Sequence, residues 1–375
     1  MLEGTPLWDR VAGCLHGLLV GDALGCPVEG WTAAEIRAEF GVLQDMAEVP
    51  GHRWRPRGLH SDDGQQALAV LDAICKNPKR PELGFVAAMI ALRDAAPQQA
   101  GRWGLHRGVG QNFRHTIRKF QATGSQDPFA HATVTAGNGA AMRVAAVGLW
   151  WRDDPETRDL RAASLSAVTH ADLRGIAAAQ ALAAAIAHNL VAEPRPILNN
   201  RLVDEVVEAE SRAANLLGLS LDRRFSHALA GLVEQRRHCY DLAELLAGIQ
   251  NRAVIVGGAD RNVGPTSGFS LCSVLSALAI VDFATSFEDA LVLAVNLGDD
   301  TDTVGAMVGA LAGARYGLEA IPSRWLDELR ATGTLMERID QVVAREVGDP
   351  RPDLIELEKQ WDRLFELRPV GRESP

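Results

Sequence analysis

Apolar residues recur three and four positions apart along most of the chain, the spacing that lines one face of a helix. Pro6 opens the first such block, with Val11, Cys14, Leu15, Leu18 and Leu19 on its apolar face. GQQALAVLDAIC is a second block and stops before Pro78. AAMRVAAVGLWW and DLRAASLSAVTH follow. GIAAAQALAAAIAHNLV is so rich in alanine and leucine that the pattern predicts a buried helix. NNRLVDEVVEAESRAANLLG is amphipathic and ends on Gly218, a helix stop. FSLCSVLSALAIVDFA and FEDALVLAVNL form a late apolar pair; Leu297 closes the second and Val304 opens the next helix. Along that next helix Gly305, Gly309 and Gly313 fall four apart, a spacing that lets two buried helices approach closely. DLIELEKQWDRLFELRP reads as an amphipathic closing helix. No alternating strand pattern is sustained and no repeat period emerges, so the expectation is one all-α domain over residues 1–375. The longest loops fall at roughly 40–60, 100–135 and 257–267, the natural places for a site in a helical domain.

Composition narrows the functional classes. With 375 residues, 47% hydrophobic, the chain can bury a large core. Acidic residues outnumber basic ones 48 to 38, for a net charge of −10, so nucleic acid is not an expected partner. The five cysteines are scattered without a Cys-x-x-Cys spacing and form neither a disulfide framework nor a zinc site. Cys14, Cys75 and Cys272 sit inside apolar helical patterns and read as buried thiols. The start, MLEGTPLWDRV, lacks the features of a signal peptide, and the longest apolar stretch, Val304–Ala314, is too short to span a bilayer. The expectation is a cytoplasmic protein with no membrane partner.

Two acidic clusters change the picture. Ser61, Asp62 and Asp63 precede one apolar helix, and Asp300, Asp302 and Thr303 precede another. Residues one or two apart do not share a helical face, so each set converges only in a loop or at a helix entrance. Each is a ready helix cap, since Ser, Thr and Asp satisfy the first free N–H groups and suit the positive helix end. A cap needs only one such residue, however, and neighbouring carboxylates repel unless a cation neutralises them. Carboxylate and hydroxyl oxygens without imidazole or thiolate suit Mg²⁺, Mn²⁺ or Ca²⁺. Four carboxylates and two hydroxyls suffice for two ions, a centre that polarises a substrate oxygen and activates water.

These motifs, with three others, resemble the ADP-ribosylglycohydrolase family. GCLHGLLVGDALGCPVE (Gly13 to Glu29) is similar to its N-terminal helix, and SDDGQQAL to its first metal motif, usually S/T-D-D-T-Q. GNGAAMRVAAVG (Gly137 to Gly148), THAD (Thr169 to Asp172) and NLGDDTDTVGAMVGALAGARYG follow in the family's order, so the resemblance covers about residues 11–317 and leaves 318–375 as a helical C-terminal extension.

The resemblance implies a compact orthogonal all-α fold around a central binuclear cleft holding two divalent cations, Mg²⁺ or Mn²⁺. It implies hydrolysis of the glycosidic bond between ADP-ribose and a protein side chain, with an ADP-ribosylated protein or an ADP-ribose derivative as partner. By position, Ser61, Asp62, Asp63, Asp300, Asp302 and Thr303 match the metal ligands. Glu29 matches the glutamate near the scissile ribose; Asp62, Asp300 and Glu29 all remain candidates for base or charge stabiliser. Asn138, Gly139 and the loop before them, Thr135 and Gly137 included, match the segment that cradles the phosphates, and His170 matches a histidine beside the nucleotide. Glycines at a helix entrance let N–H groups approach a pyrophosphate. Three departures stand out: Gly64 for a usual threonine, Asp299 for a glycine, and Ala146 where proline is frequent. Rival readings are a hydrolase of small ADP-ribose derivatives, a non-catalytic ADP-ribose-binding relative, and a helical interaction protein whose clusters are only caps.

Overall fold

The structure, a computed structural model, describes residues 3–49, 57–97, 103–190 and 196–365. These residues form seventeen α-helices and no strand, only isolated bridges. The first five are α1 (Pro6–Gly25), α2 (Ala33–Phe40), α3 (Asp62–Lys76), α4 (Pro81–Asp94) and α5 (Gln111–Thr123). Next come α6 (Ala145–Trp150), α7 (Pro155–Ala167), α8 (Leu173–Asn189), α9 (Asn200–Leu217), α10 (Arg224–Arg236) and α11 (Leu242–Ile255). The last six are α12 (Ser270–Phe283), α13 (Phe287–Val295), α14 (Thr301–Tyr316), α15 (Ser323–Glu328), α16 (Met336–Ala344) and α17 (Leu354–Phe365).

The antiparallel pair of α1 and α14 is the most extensive helix contact and forms the spine. Glycines make this contact possible. Gly13 faces Gly313, Gly17 faces Gly309 and Gly21 faces Gly305, each abutting the other's backbone carbonyl; Gly25 abuts that of Thr301. A Cβ at any of these positions would overlap the facing carbonyl, so the two backbones touch directly. The close spacing of Gly305, Gly309 and Gly313 is thus answered by a matching row on α1. By length and composition α1 is apolar enough to cross a bilayer, but here it is buried from Val11 onward, a core helix.

Alanine-rich α8 is the second buried element and packs against α6, α7, α9, α12 and α14. One large apolar cluster runs from Trp8 in α1 to Trp361 in α17, so helices after residue 318 belong to the same core as the motif-bearing part. Nearly all of the helices expected from the periodicity are present. α9 ends as expected, with Gly218 in the left-handed region at φ 64°.

Three local expectations need correction. The AAMRVAAVGLWW block is helical only from Ala145; before it, buried Arg143 donates to Gly139 O, Gln66 Oε1, Leu165 O and Thr169 Oγ1, and this anchoring holds a turn. α14 begins at Thr301 rather than Val304, which puts Asp302 in its first turn. The expected 100–135 loop contains α5, whose Phe113, Thr116, Ile117 and Phe120 are buried at helical spacing. Parts of the other expectations (residues 50–56 and 98–102, and the tail beyond 365) lie outside the described residues.

The seam gives a direct test. Gly309→Ala places a Cβ against Gly17 O and is expected to cost at least ~1–3 kcal/mol, as overpacking does. Gly333→Ala, where a Cβ meets nothing within 4 Å, is expected to be near neutral. Urea unfolding midpoints of the two variants separate these outcomes.

Candidate metal centre and active site

The seam brings the C-terminal end of α1 to the N-terminal end of α14. Thr301 Oγ1 donates to Gly25 O at 2.8 Å, fixing the register. Beyond α1, a short 3₁₀ turn (Cys26–Val28) leads to Glu29. The two entering loops then pair: Gly30 N donates to Asp299 O and Asp299 N to Trp31 O, both at 2.7 Å. Gly298 and Asp299 take φ of 79° and 70°. A glycine is the usual residue at the second position because of this backbone, and Asp is among the few others that tolerate it. The Asp299 side chain is exposed and turned toward Gly264, so its extra charge does not line the cavity described below.

The other cluster is held from behind by Asp22, which sits fully buried inside α1. Its carboxylate accepts from Ser61 N at 2.8 Å and from Gly64 N at 2.7 Å, capping α3 from a different helix. Ser61 is the local N-cap: its Oγ accepts from Asp63 N at 3.2 Å and donates to Asp63 Oδ2 at 3.1 Å. Gly64 is explained by its neighbours. A Cβ there would lie 2.6 Å from the His60 ring and 2.7 Å from Leu19 Cδ2, so in this chain an imidazole occupies the space beside the motif.

Asp62, Asp63, Asp300, Asp302, Thr303 and Glu29 converge on one cavity of about 280 Å³, together with Asn138, Gly139 and His170. Oxygens of Glu29, Asp300 and Asp302 lie within 4.8 Å of one another, and Asp302 makes a second such group with Asp22 and Cys26. Asn138 Nδ2 donates to Asp300 Oδ2 at 2.6 Å, and the Thr303 hydroxyl lies against Asp63 and Asp300. Ser61 is buried behind the cavity wall rather than on it. Thr135 and Gly137 line a separate cavity of about 380 Å³, with Arg174 and Phe269, next to the Asn138–Gly139 turn. A larger cavity, about 810 Å³ and bordered by Leu7, Arg152 and His188, holds none of the candidate residues.

The electrostatics favour a cation. Burial pushes the Asp63 carboxyl well above its usual range, and Asp22, Asp62 and Asp300 push it further. Asp300 is raised by burial and by Glu29. Asp63 Oδ1 is buried without a hydrogen-bond partner, a costly state for a carboxylate oxygen. An orphaned acceptor among crowded carboxylates fits a hard divalent ion, which would satisfy the oxygen and remove the repulsion.

A neutral imidazole, backed by the buried guanidinium of Arg143, also lines the cavity. His170 is pushed down to about 3 by burial and then by Arg143, so its imidazole is neutral at physiological pH. Arg143 donates to Thr169 Oγ1 at 2.6 Å, and that hydroxyl lies 2.7 Å from His170 Nδ1. The chain leaves Nε2 toward Gly137 and Gly139, where a neutral donor suits a nucleotide.

Several residues on or behind the wall were not singled out by sequence. Asp22 had a readable signal, a lone carboxylate inside an apolar helix. Gln66, which donates to Asp62 Oδ2 at 2.8 Å, and Arg143 lie within quoted motifs. The run Gly108 to Phe113 that closes one side carries no recognisable motif.

Gly64→Thr restores the more usual motif residue but collides with His60 and Leu19; a stability loss of ~1–3 kcal/mol is expected. Adding His60→Ala is expected to recover part of it, so that the double variant is less destabilised than the two singles combined. Thermal melts of the three variants measure this.

Comparison with known proteins agrees with this geometry. The sequence profile of the ADP-ribosylglycohydrolase family matches residues 3–353. The ADP-ribosyl-[dinitrogen reductase] glycohydrolase of Rhodospirillum rubrum is 29% identical over 354 residues, covering 92% of this chain and 98% of that protein. ADP-ribosylhydrolase ARH3 of Bos taurus is 27% identical over 84% of this chain and 87% of its own length. ADP-ribosylarginine hydrolase Tri1 of Pseudomonas putida is 26% identical, covering 93% and 81% respectively. A solved structure described as an ADP-ribosylglycohydrolase-related protein complex superposes with a TM-score of 0.64 at 26% identity, covering 91% of this chain and 99% of that one. A helical spine, two converging acidic motifs and a family match over nearly the whole length lead to one conclusion: this chain belongs to the ADP-ribosylglycohydrolase family.

Proposed function

We propose that this protein hydrolyses the glycosidic bond that joins ADP-ribose to a protein side chain, using two divalent cations, Mg²⁺ or Mn²⁺. The observation that carries the reading is the convergence of Asp62 and Asp63 with Asp300, Asp302 and Thr303 around the unpartnered Asp63 Oδ1. The names of the Rhodospirillum and Pseudomonas relatives, which specify dinitrogen reductase and ADP-ribosylarginine, support a protein-linked substrate.

Asp62, Asp63, Asp300, Asp302 and Thr303 would hold the ions, with Ser61 orienting Asp63. The chemistry bound cations supply here is charge neutralisation and polarisation of an oxygen they coordinate. The chain's own groups do the rest. At the Gly137–Gly139 turn, Gly137 N and Asn138 N are held by Thr135 Oγ1 and Gly268 O, which leaves the Gly139 N–H for the pyrophosphate, and neutral His170 faces the nucleotide without competing for a proton. Asn138 holds Asp300 through its amide. Glu29, half-buried at the cavity edge, is the acid we assign to receive the proton of the attacking water. Water oxygen bonds to the anomeric carbon, the bond to the side-chain atom breaks with its electron pair leaving on that atom, and the proton passes to the leaving group. The transition state has oxocarbenium character, as in glycoside hydrolysis generally.

ADP-ribose release from modified protein is expected in Mg²⁺ or Mn²⁺ and is expected to be lost with chelator. Equal rates in both overturn the metal dependence. Asp302→Ala is expected to lower activity at least ~100-fold, beyond the loss typical of an outer-shell partner. Full activity in that variant overturns the site assignment. Mn²⁺ at a hundredfold excess over its Kd is expected to stabilise the wild type by about 2.7 kcal/mol, seen as a higher Tm.

A further inference from the structure

A buried polar network ties the last helix to the first metal motif. Glu358 on α17 is fully buried. Its Oε2 accepts from Arg107 Nη1 at 2.5 Å and from Gln65 Nε2 at 2.8 Å, and its Oε1 accepts from Arg107 Nη2 at 3.1 Å. His60 Nε2 lies between them, 3.1 Å from Arg107 Nη2 and 3.3 Å from Glu358 Oε1, with the Trp361 ring edge-on at 5.1 Å.

Arg107 and Gln65 also lace two chain segments together. Arg107 Nε donates to His60 O at 2.8 Å, Arg107 N to Gln65 Oε1 at 3.0 Å, and Gln65 Nε2 to Leu105 O at 3.0 Å. Both segments border the active cavity: residue 60 leads into Ser61–Asp63, and residue 107 leads into the Gly108–Phe113 wall. The same His60 ring fills the space that Gly64 leaves beside the motif. The glycine departure and the Glu358 network are therefore one arrangement.

Charge makes the arrangement consequential. Arg107 is buried, one residue before the Gly108–Phe113 wall. A bidentate carboxylate holds its guanidinium facing α17. Without that partner, a buried cation would be left uncompensated, and the two segments it laces together would lose a shared anchor. α17 lies past residue 353, where the family match ends.

We propose that Glu358 is a positioning residue which, through Arg107 and Gln65, sets the Ser61–Asp63 turn and the Gly108–Phe113 wall for cation binding; this rests on the cation reading above. The test uses the full chain, Mn²⁺ titration calorimetry, and amide hydrogen exchange of the metal-free protein. Glu358→Gln is expected to weaken Mn²⁺ binding about tenfold and to speed exchange at residues 60–66 and 105–110. Leu357→Ala, a buried apolar change on the same helix, is expected to lower Tm and speed exchange within α17 while leaving Mn²⁺ affinity unchanged. If Glu358→Gln does not fold, Gln65→Met keeps the Glu358–Arg107 pair and cuts the link to α3; a smaller loss in the same direction is expected. Unchanged affinity and exchange in the Glu358 or Gln65 variant overturns the proposal, as does a Leu357→Ala effect on Mn²⁺ equal to that of Glu358→Gln. Wild-type protein that takes up no Mn²⁺ overturns the cation reading itself and the proposal with it.

Discussion

Backbone contact between α1 and α14 is the constraint on which the site depends. Rows of glycines let the two helices touch carbonyl to Cα, and the antiparallel register leaves no freedom to slide. That register sets Gly25 against Thr301 and hence Glu29 beside Asp300. A one-residue shift would drive a side chain into a carbonyl and also separate the acidic groups. Packing and site geometry are therefore the same restriction seen at two ends of one helix pair.

The acidic cluster runs against folding. Asp22 and Asp63 are buried and Asp300 is half-buried beside them; Asp22 and Asp300 both repel Asp63, and burial disfavours the charged form of each. The fold offsets this in part with fixed donors: Ser61 and Gly64 N–H on Asp22, and Asn138 on Asp300. It leaves Asp63 Oδ1 with none. Such local conflict between stability and arrangement is what a binding site looks like before its ligand is counted.

Some of the site was legible because its motifs are short and local. The clusters at 61–63 and 300–303 announced themselves as more acid than a helix cap requires. Asp22 was visible as a residue but not as a cap, because its partners lie 39 and 42 positions away on another helix. Glu358 was invisible in the same way: its bond to Gln65 spans 293 positions, and within α17 it is one glutamate of an amphipathic pattern. Gly64 looked like a missing hydroxyl, whereas the structure shows that His60 occupies the space beside it.

Periodicity of three and four is a property of neighbouring residues, and it was enough to establish an all-helical chain, its buried alanine helix and its glycine-lined face. The acidic motifs pointed to oxygen donors of a kind that suits hard divalent ions, and the resemblance carried by all five motifs pointed to the class of chemistry. Which acids meet, which face the cavity and which are held behind it rests on contacts between helices far apart in the chain. The Gly108–Phe113 wall belongs to that second category, as does the turn that Arg143 imposes before α6; α5 does not, since Phe113, Ile117 and Phe120 carry a helical spacing of their own. The physical reason is range: local propensity acts over one helical turn, while convergence of residues 22, 63, 300 and 358 requires the packed core to exist first.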